Sequence, residues 1–62
     1  MKDAHEIAIE LHKKCAEELI NRRIEIFDYL LDIGANPDIV LELQSIEIEL
    51  TIRRYNEKLG LH

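Results

Sequence analysis

The chain has few of the residues that cross-link or interrupt a small protein: one cysteine, one proline, two glycines and no tryptophan. A single cysteine, Cys15, excludes an internal disulfide and fits a reducing compartment. A chain of 62 residues buries only about 60% of the surface that its unfolded form exposes, so its core is marginal. Since small domains usually need a further source of stability, we expect self-association, with a bound metal as the second choice.

Basic residues are outnumbered by acidic ones, 8 against 13, which gives a net charge of −5. Such a chain lacks the basic surface that binds nucleic acid or anionic membranes. No apolar run approaches the roughly 20 residues that span a bilayer, and the first residues lack the apolar stretch of a signal peptide. We therefore expect a cytoplasmic protein with no nucleic-acid or membrane partner.

One short segment, residues 34–38, carries the signals for the end of one helix and the start of another. Gly34 suits the left-handed position that follows a helix, Asn36 is a favourable N-cap, and Pro37 fits the first helical position. Apolar residues at three- and four-residue spacing lie on both sides. The sequence predicts an all-α fold: a single two-helix antiparallel hairpin, with helix 1 over about 3–33, a turn at 34–36 and helix 2 over about 37–59.

Residues 46–52 alternate between apolar and polar, which is also the pattern of a β-strand. Glutamates in this segment favour a helix, and no turn signal separates residues 38 and 59, so we predict a helix. In a helix, Ile46 and Leu50 face one side while Ile48 and Ile52 face nearly the opposite side. One partner helix cannot cover both sides, so apolar surface is left for association.

The predicted helix lengths also leave apolar surface for association, because residues 3–11 of helix 1 extend beyond helix 2 and carry further apolar side chains. A two-fold homodimer that forms a four-helix bundle is the simplest way to bury both surfaces. Another helical protein would satisfy the same requirement. The residues expected at the interface are Ile7, Ile9, Leu11, Ile48, Ile52 and Tyr55.

His12 and Cys15 lie three residues apart, on one face of helix 1. Across a two-fold axis, two copies would supply two histidines and two cysteines, a set that suits tetrahedral zinc. The alternative is a small core cysteine beside a solvated histidine, and we favour that reading, with no metal and no cofactor. The sequence has no Gly-rich phosphate loop and no nucleophile with an apparent oxyanion site.

Residues 45–55 resemble the second helix of the small helical-hairpin aspartyl-phosphate phosphatases of sporulation phosphorelays, whose pattern is close to S-Q-E-L-D-x-L-I-x-x-Y. The matching positions are Ser45, Glu47, Ile52 and Tyr55. The family's glutamine is Ile46 here, and its key aspartate is Glu49. The resemblance implies a helical hairpin in which Glu49 acts in hydrolysis of a response regulator's acyl phosphate.

Two hypotheses for function remain open, beside the third possibility of a designed or metal-templated bundle. The first is a non-enzymatic regulatory or structural helical module that acts through protein–protein interaction as a homodimer. The alternative is a phosphatase that removes the phosphoryl group from the aspartate of a response regulator. Composition and the shape of a hairpin favour the first, because a hairpin provides little concavity for a buried catalytic site.

Overall fold

The computed structural model describes residues 3–60 of the chain, and every regular element within them is an α-helix. Helix α1 spans Ala4–His12, α2 spans Ala16–Asp32, and α3 spans Pro37–Lys58. The longest helix, α3, packs against both α1 and α2. The prediction of an all-α fold is confirmed, but the prediction of two helices is wrong, since the described chain forms three.

The connection between α2 and α3 has the local structure that its sequence predicts. Gly34 follows the end of α2 with φ +101°, in the left-handed region that a glycine adopts without strain. The side chain of Asn36 accepts hydrogen bonds from the backbone N–H of Asp38 at 2.9 Å and of Ile39 at 3.4 Å. Pro37 is the first residue of α3. The predicted helix end and helix start are therefore confirmed.

The predicted continuous helix over residues 3–33 is wrong, because the chain leaves the helical pattern between His12 and Ala16. Cys15 adopts an extended backbone, with φ −76° and ψ 161°, and becomes the N-cap of α2. Glu17 and Glu18 then lie in the first turn of α2, where the helix dipole favours negative charge. No glycine or proline marks this break, so the regular apolar spacing across it predicts one helix.

The break lets α1 pack against α3 of the same chain. Leu11 is only 4% exposed, and Ile7 packs against the core beside it. Leu19 and Ile26 of α2 and Ile46 of α3 complete this core, each no more than 1% exposed. The expectation that residues 3–11 extend beyond the second helix is thus incorrect, since α3 covers part of their apolar surface.

Arg53 of α3 closes the C-terminal end of α1. Its Nη2 donates to the backbone carbonyls of Lys14 at 2.6 Å, Leu11 at 3.2 Å and His12 at 3.3 Å. The last carbonyls of a helix have no partner within the helix and need one elsewhere. Glu49 holds the guanidinium in place by accepting from Nε at 2.9 Å. Arg53 therefore stabilises both the end of α1 and its contact with α3.

The alternating segment of residues 46–52 is helical, as predicted. Ile46 is fully buried, whereas Ile48 is 61% exposed and Ile52 is 50% exposed. Leu50 packs against the core from a half-buried position. The segment therefore has apolar side chains on two opposite sides of α3, and only one of those sides is covered within the chain.

Replacing Arg53 with alanine should lower the free energy of unfolding by about 1–3 kcal/mol, because the carbonyls at the end of α1 lose a charged donor. Arg54→Ala is the matched control, since Arg54 is exposed and has no hydrogen bond or ion pair within residues 3–60. That variant should stay within about 0.5 kcal/mol of the wild type. Urea unfolding followed by circular dichroism measures both, and equal losses would contradict the role given to Arg53.

Candidate interaction site

Three exposed apolar residues of α3 and the residue that caps its C-terminal end form one continuous line along the helix surface. We call this set the α3 stripe: Ile48, Ile52, Tyr55 and Leu59. Their exposed fractions are 61%, 50%, 62% and 55%. At about 100° per residue they share the side of α3 that points away from buried Ile46. Three of these four residues were predicted at an interface, and the structure leaves them at the surface.

The three residues of α1 predicted at the same interface lie in different surroundings. Leu11 belongs to the core of the chain itself, and Ile7 packs against that core from a half-buried position. Ile9 is 45% exposed and lines a shallow groove together with Glu49 of α3. Of the α1 residues, only Ile9 keeps a surface position next to α3.

A second line of exposed apolar residues runs along α2, and the sequence analysis missed it. We call it the α2 stripe: Ile20, Ile24, Phe27 and Leu31, with exposed fractions of 40%, 53%, 47% and 86%. Its spacing of four, three and four residues is the same as that of the α3 stripe. The spacing of the α2 stripe is visible in the sequence, but none of its four residues was among those predicted at an interface.

Glu49, the residue that the phosphatase resemblance singles out, lies at the junction of α1 and α3. Its side chain is 11% exposed. Its Oε2 atom accepts from Nε of Arg53 at 2.9 Å and lies 3.4 Å from Nδ1 of His12. The carboxylate therefore contacts two side chains of its own chain, and both contacts help to position α1.

The contact between α2 and α3 is reinforced by two arginines of α2. Arg22 donates to Glu42 from Nε at 2.5 Å and from Nη2 at 3.0 Å, and to Glu25 from Nη1 at 3.2 Å. The hydrogen bond with Glu42 raises the pKa of Arg22 further above its ordinary value. Nη1 of Arg23 donates to Oε1 of Glu47 at 3.2 Å. Both arginines of α2 are thus engaged by glutamates of α3.

His12 and Cys15, the residues considered for zinc, each contact a carboxylate. His12 is 81% exposed at its side chain and lies beside Glu49. The exposed thiol of Cys15 donates to Oε1 of Glu18 at 3.3 Å. Within residues 3–60, no group of three or more histidine, cysteine or acidic side chains is arranged to hold a metal ion. One chain therefore offers at most a partial site here.

Zinc should leave the melting temperature of the protein unchanged, because a ligand stabilises a fold only by binding the native state more tightly than the unfolded state. Thermal unfolding with zinc in excess over protein measures this, with His12→Ala as the control for weak binding at the histidine. A rise in melting temperature that disappears in His12→Ala and in Cys15→Ser would contradict the prediction and support the two-copy zinc site.

No helix within residues 3–60 is both long and apolar enough to cross a membrane. In comparisons with known proteins, no family model, no curated protein and no solved structure matches this chain. The two apolar stripes are therefore the surface features of the molecule that bear most directly on its function.

Proposed function

We propose that this chain is a small, non-enzymatic helical module that acts through protein–protein interaction and forms a homodimer through the α3 stripe. The observation that carries the proposal is the line of four apolar side chains on the uncovered side of α3, each at least 50% exposed. Continuous apolar surface of this kind is typical of an association site. The proposed role is regulatory or structural, and it depends on presenting a helical surface.

The small core gives a reason for self-association. Only four large apolar side chains are buried among residues 3–60, those of Leu11, Leu19, Ile26 and Ile46, and a domain of this size has little stability to spare. Covering a half-exposed Ile or Leu side chain contributes roughly 1 kcal/mol, about half of the value for full burial. Four such side chains on each copy would add stability that the monomer lacks.

The spacing of the α3 stripe suits a two-fold axis. The intervals of four, three and four residues read the same in both directions, so two antiparallel α3 helices can match along their length. Ile52 would then lie near Tyr55 of the second copy, and Ile48 near Leu59 of the second copy. A two-fold contact of this kind is self-complementary. It would place the two α3 helices at the centre of the dimer, with α1 and α2 of each copy beside them, so the assembly would have six helices in place of the four expected from two hairpins.

The charges beside the α3 stripe are mixed in sign, which also suits self-association. Glu47, which also accepts a hydrogen bond from Arg23 of its own chain, precedes the stripe, and Lys58 lies near its other end. An antiparallel pair of α3 helices would bring Glu47 of each copy towards Lys58 of the second copy. Opposite charges placed across an interface favour the correct partner and orientation.

Ile48→Glu should convert the dimer to a monomer without unfolding it, because residue 48 is 61% exposed within the chain and a charge is costly only when the dimer buries it. Sedimentation velocity at micromolar concentration gives the mass, and circular dichroism gives the helix content. Ile24→Glu, the same substitution on α2 at a similar exposure of 53%, is the control and should leave the dimer intact. A wild-type chain that sediments as a folded monomer would refute the homodimer.

The alternative function is hydrolysis of a response regulator's aspartyl phosphate by Glu49. Its support is the resemblance of residues 45–55, together with a cationic side chain, Arg53, beside the carboxylate. Its difficulty is access, since the Glu49 side chain is 11% exposed and α1 lies against it. A carboxylate that orients water must reach the phosphorus of a partner, so Glu49 would have to leave Arg53. We therefore prefer the interaction module.

A phosphorylated receiver domain should lose its phosphoryl group at the same rate with and without this protein. The decay is followed by phosphate-affinity electrophoresis at equimolar and at tenfold excess protein. Faster decay with the wild type that returns to the intrinsic rate with Glu49→Ala would favour the phosphatase. Because Glu49 also holds Arg53, helix content of the variant must be checked, and Glu49→Gln provides a variant of the same size.

A further inference from the structure

We propose that the α2 stripe is a second docking surface, and that its occupant is a basic amphipathic helix of a partner protein. This inference goes beyond the proposed dimer, which uses the α3 stripe. A chain with one self-complementary surface and one surface for a different protein would bring two copies of that protein together.

The apolar part of the surface has the dimensions of a helix-binding site. The α2 stripe extends over 11 residue steps, about 16 Å at 1.5 Å per residue. Phe27 and Leu31 are 47% and 86% exposed. Leu31 is thus the most exposed large apolar side chain among residues 3–60. A helix that presents its own apolar residues at intervals of four, three and four would match this line, as in other helix recognition by apolar surfaces.

The charges beside the α2 stripe determine what kind of helix fits. Helix α2 carries five acidic residues and two arginines. Both arginines pair with α3, Arg22 with Glu42 and Arg23 with Glu47, so their charge is compensated there. The exposed acidic residues that remain along α2 without a hydrogen bond or ion pair in residues 3–60 are Glu17, Asp28 and Asp32. A partner with lysine or arginine beside its apolar residues complements this excess.

The complementarity is strongest towards the C-terminal end of the stripe. There Asp28 and Asp32 lie one residue after Phe27 and Leu31 respectively, and no basic residue occurs between Arg23 and the end of α2. At the other end, Ile20 shares a groove with Glu57 and with the arginines Arg23, Arg53 and Arg54, so this end of the stripe is not acidic. The basic residues of a partner helix should therefore face the half of the stripe from Ile24 to Leu31.

A second copy of the same chain is a poorer occupant. Two α2 stripes placed together would bring two acidic rims into contact, and like charges across an interface oppose association. The α3 stripe differs in this respect, since Glu47 and Lys58 beside it have opposite signs. The two stripes have the same apolar spacing but differ in the charges beside them. Because of this difference, the α3 stripe suits a second copy and the α2 stripe suits a basic partner.

The test uses the full chain and a labelled helical peptide of about 18 residues, long enough for five turns. The peptide has leucines at intervals of four, three and four residues and lysines at flanking positions, and a matched peptide has glutamate in place of each lysine. Fluorescence anisotropy gives the dissociation constants. The lysine peptide should bind at least about tenfold more tightly than the glutamate peptide, with an affinity that falls as salt is raised.

Two pairs of variants locate the site. The pair F27Q and L31Q, combined in one chain, should weaken binding of the lysine peptide by about tenfold or more. The combined D28N and D32N variant should weaken it less and reduce the salt dependence. The control is I48Q with I52Q on the α3 stripe, which should lower the sedimenting mass and leave peptide affinity unchanged. All these positions are exposed, and circular dichroism verifies their folding.

The outcomes separate this inference from the proposed dimer. Equal peptide affinity of the wild type and the F27Q and L31Q variant would overturn the α2 site, whatever the mass of the wild type. A fall in sedimenting mass caused by F27Q and L31Q would also overturn it, because a second copy would then occupy the stripe. A wild type that is monomeric, yet binds the lysine peptide through Phe27 and Leu31, would remove the dimer and retain the α2 site.

Discussion

The arrangement of the three helices depends on the contact between the Arg53 guanidinium and the end of α1. Three backbone carbonyls of residues 11–14 accept hydrogen bonds from its Nη2. A helix that stops inside a small protein leaves carbonyl groups without partners, and this is costly where water is excluded. Arg53 adds a charged donor to these carbonyls, which supports the end of α1 and its packing on α3. Leu11 reaches the core through that packing.

The second determinant of the structure is the number of apolar side chains relative to the surface available to bury them. Among residues 3–60, four large apolar side chains are buried, while the two stripes leave eight at least 40% exposed. Packing α1 on α3 covers one side of α3, and α2 covers another, so the side that carries Ile48 and Ile52 stays open. Glutamates of α3 pair with Arg22 and Arg23 and so compensate the positive charge on the surface of α2. The resulting surface has two apolar lines with different electrostatic surroundings.

The fold was predictable where short-range rules decide it. Gly34, Asn36 and Pro37 each act through their own backbone preferences, and the helix end and start were found from them. The exposure of Ile48 opposite buried Ile46 follows from helical geometry alone. The break after His12 was not predictable in this way, because the side chain that binds the carbonyls there, Arg53, lies about forty residues later in the chain. Local spacing across residues 11–19 is compatible with a continuous helix, and only the tertiary contact favours interrupting it.

Part of the candidate site was also predictable, because it follows from local helical geometry. The α3 stripe appears once residues 46–59 are placed on a helix. The burial of Leu11 was missed because the predicted continuous helix moved it away from α3. The α2 stripe was visible in its spacing, but which of several apolar lines of α2 faces inward depends on how the helix is rotated against α3. Arg22 and Arg23 help to fix that rotation through their contacts with Glu42 and Glu47, and sequence spacing alone does not reveal those pairs.

The link between Arg53 and Leu11 also has a consequence for the order of folding. These residues are 42 positions apart in the sequence, so their contact closes a loop of most of the chain. The pairs between α2 and α3 are only 20 and 24 positions apart. Longer loops cost more entropy to close, and contacts between distant residues form slowly. Helix α1 should therefore join a pair of helices already in place, and it should be the first helix to detach when the protein begins to unfold.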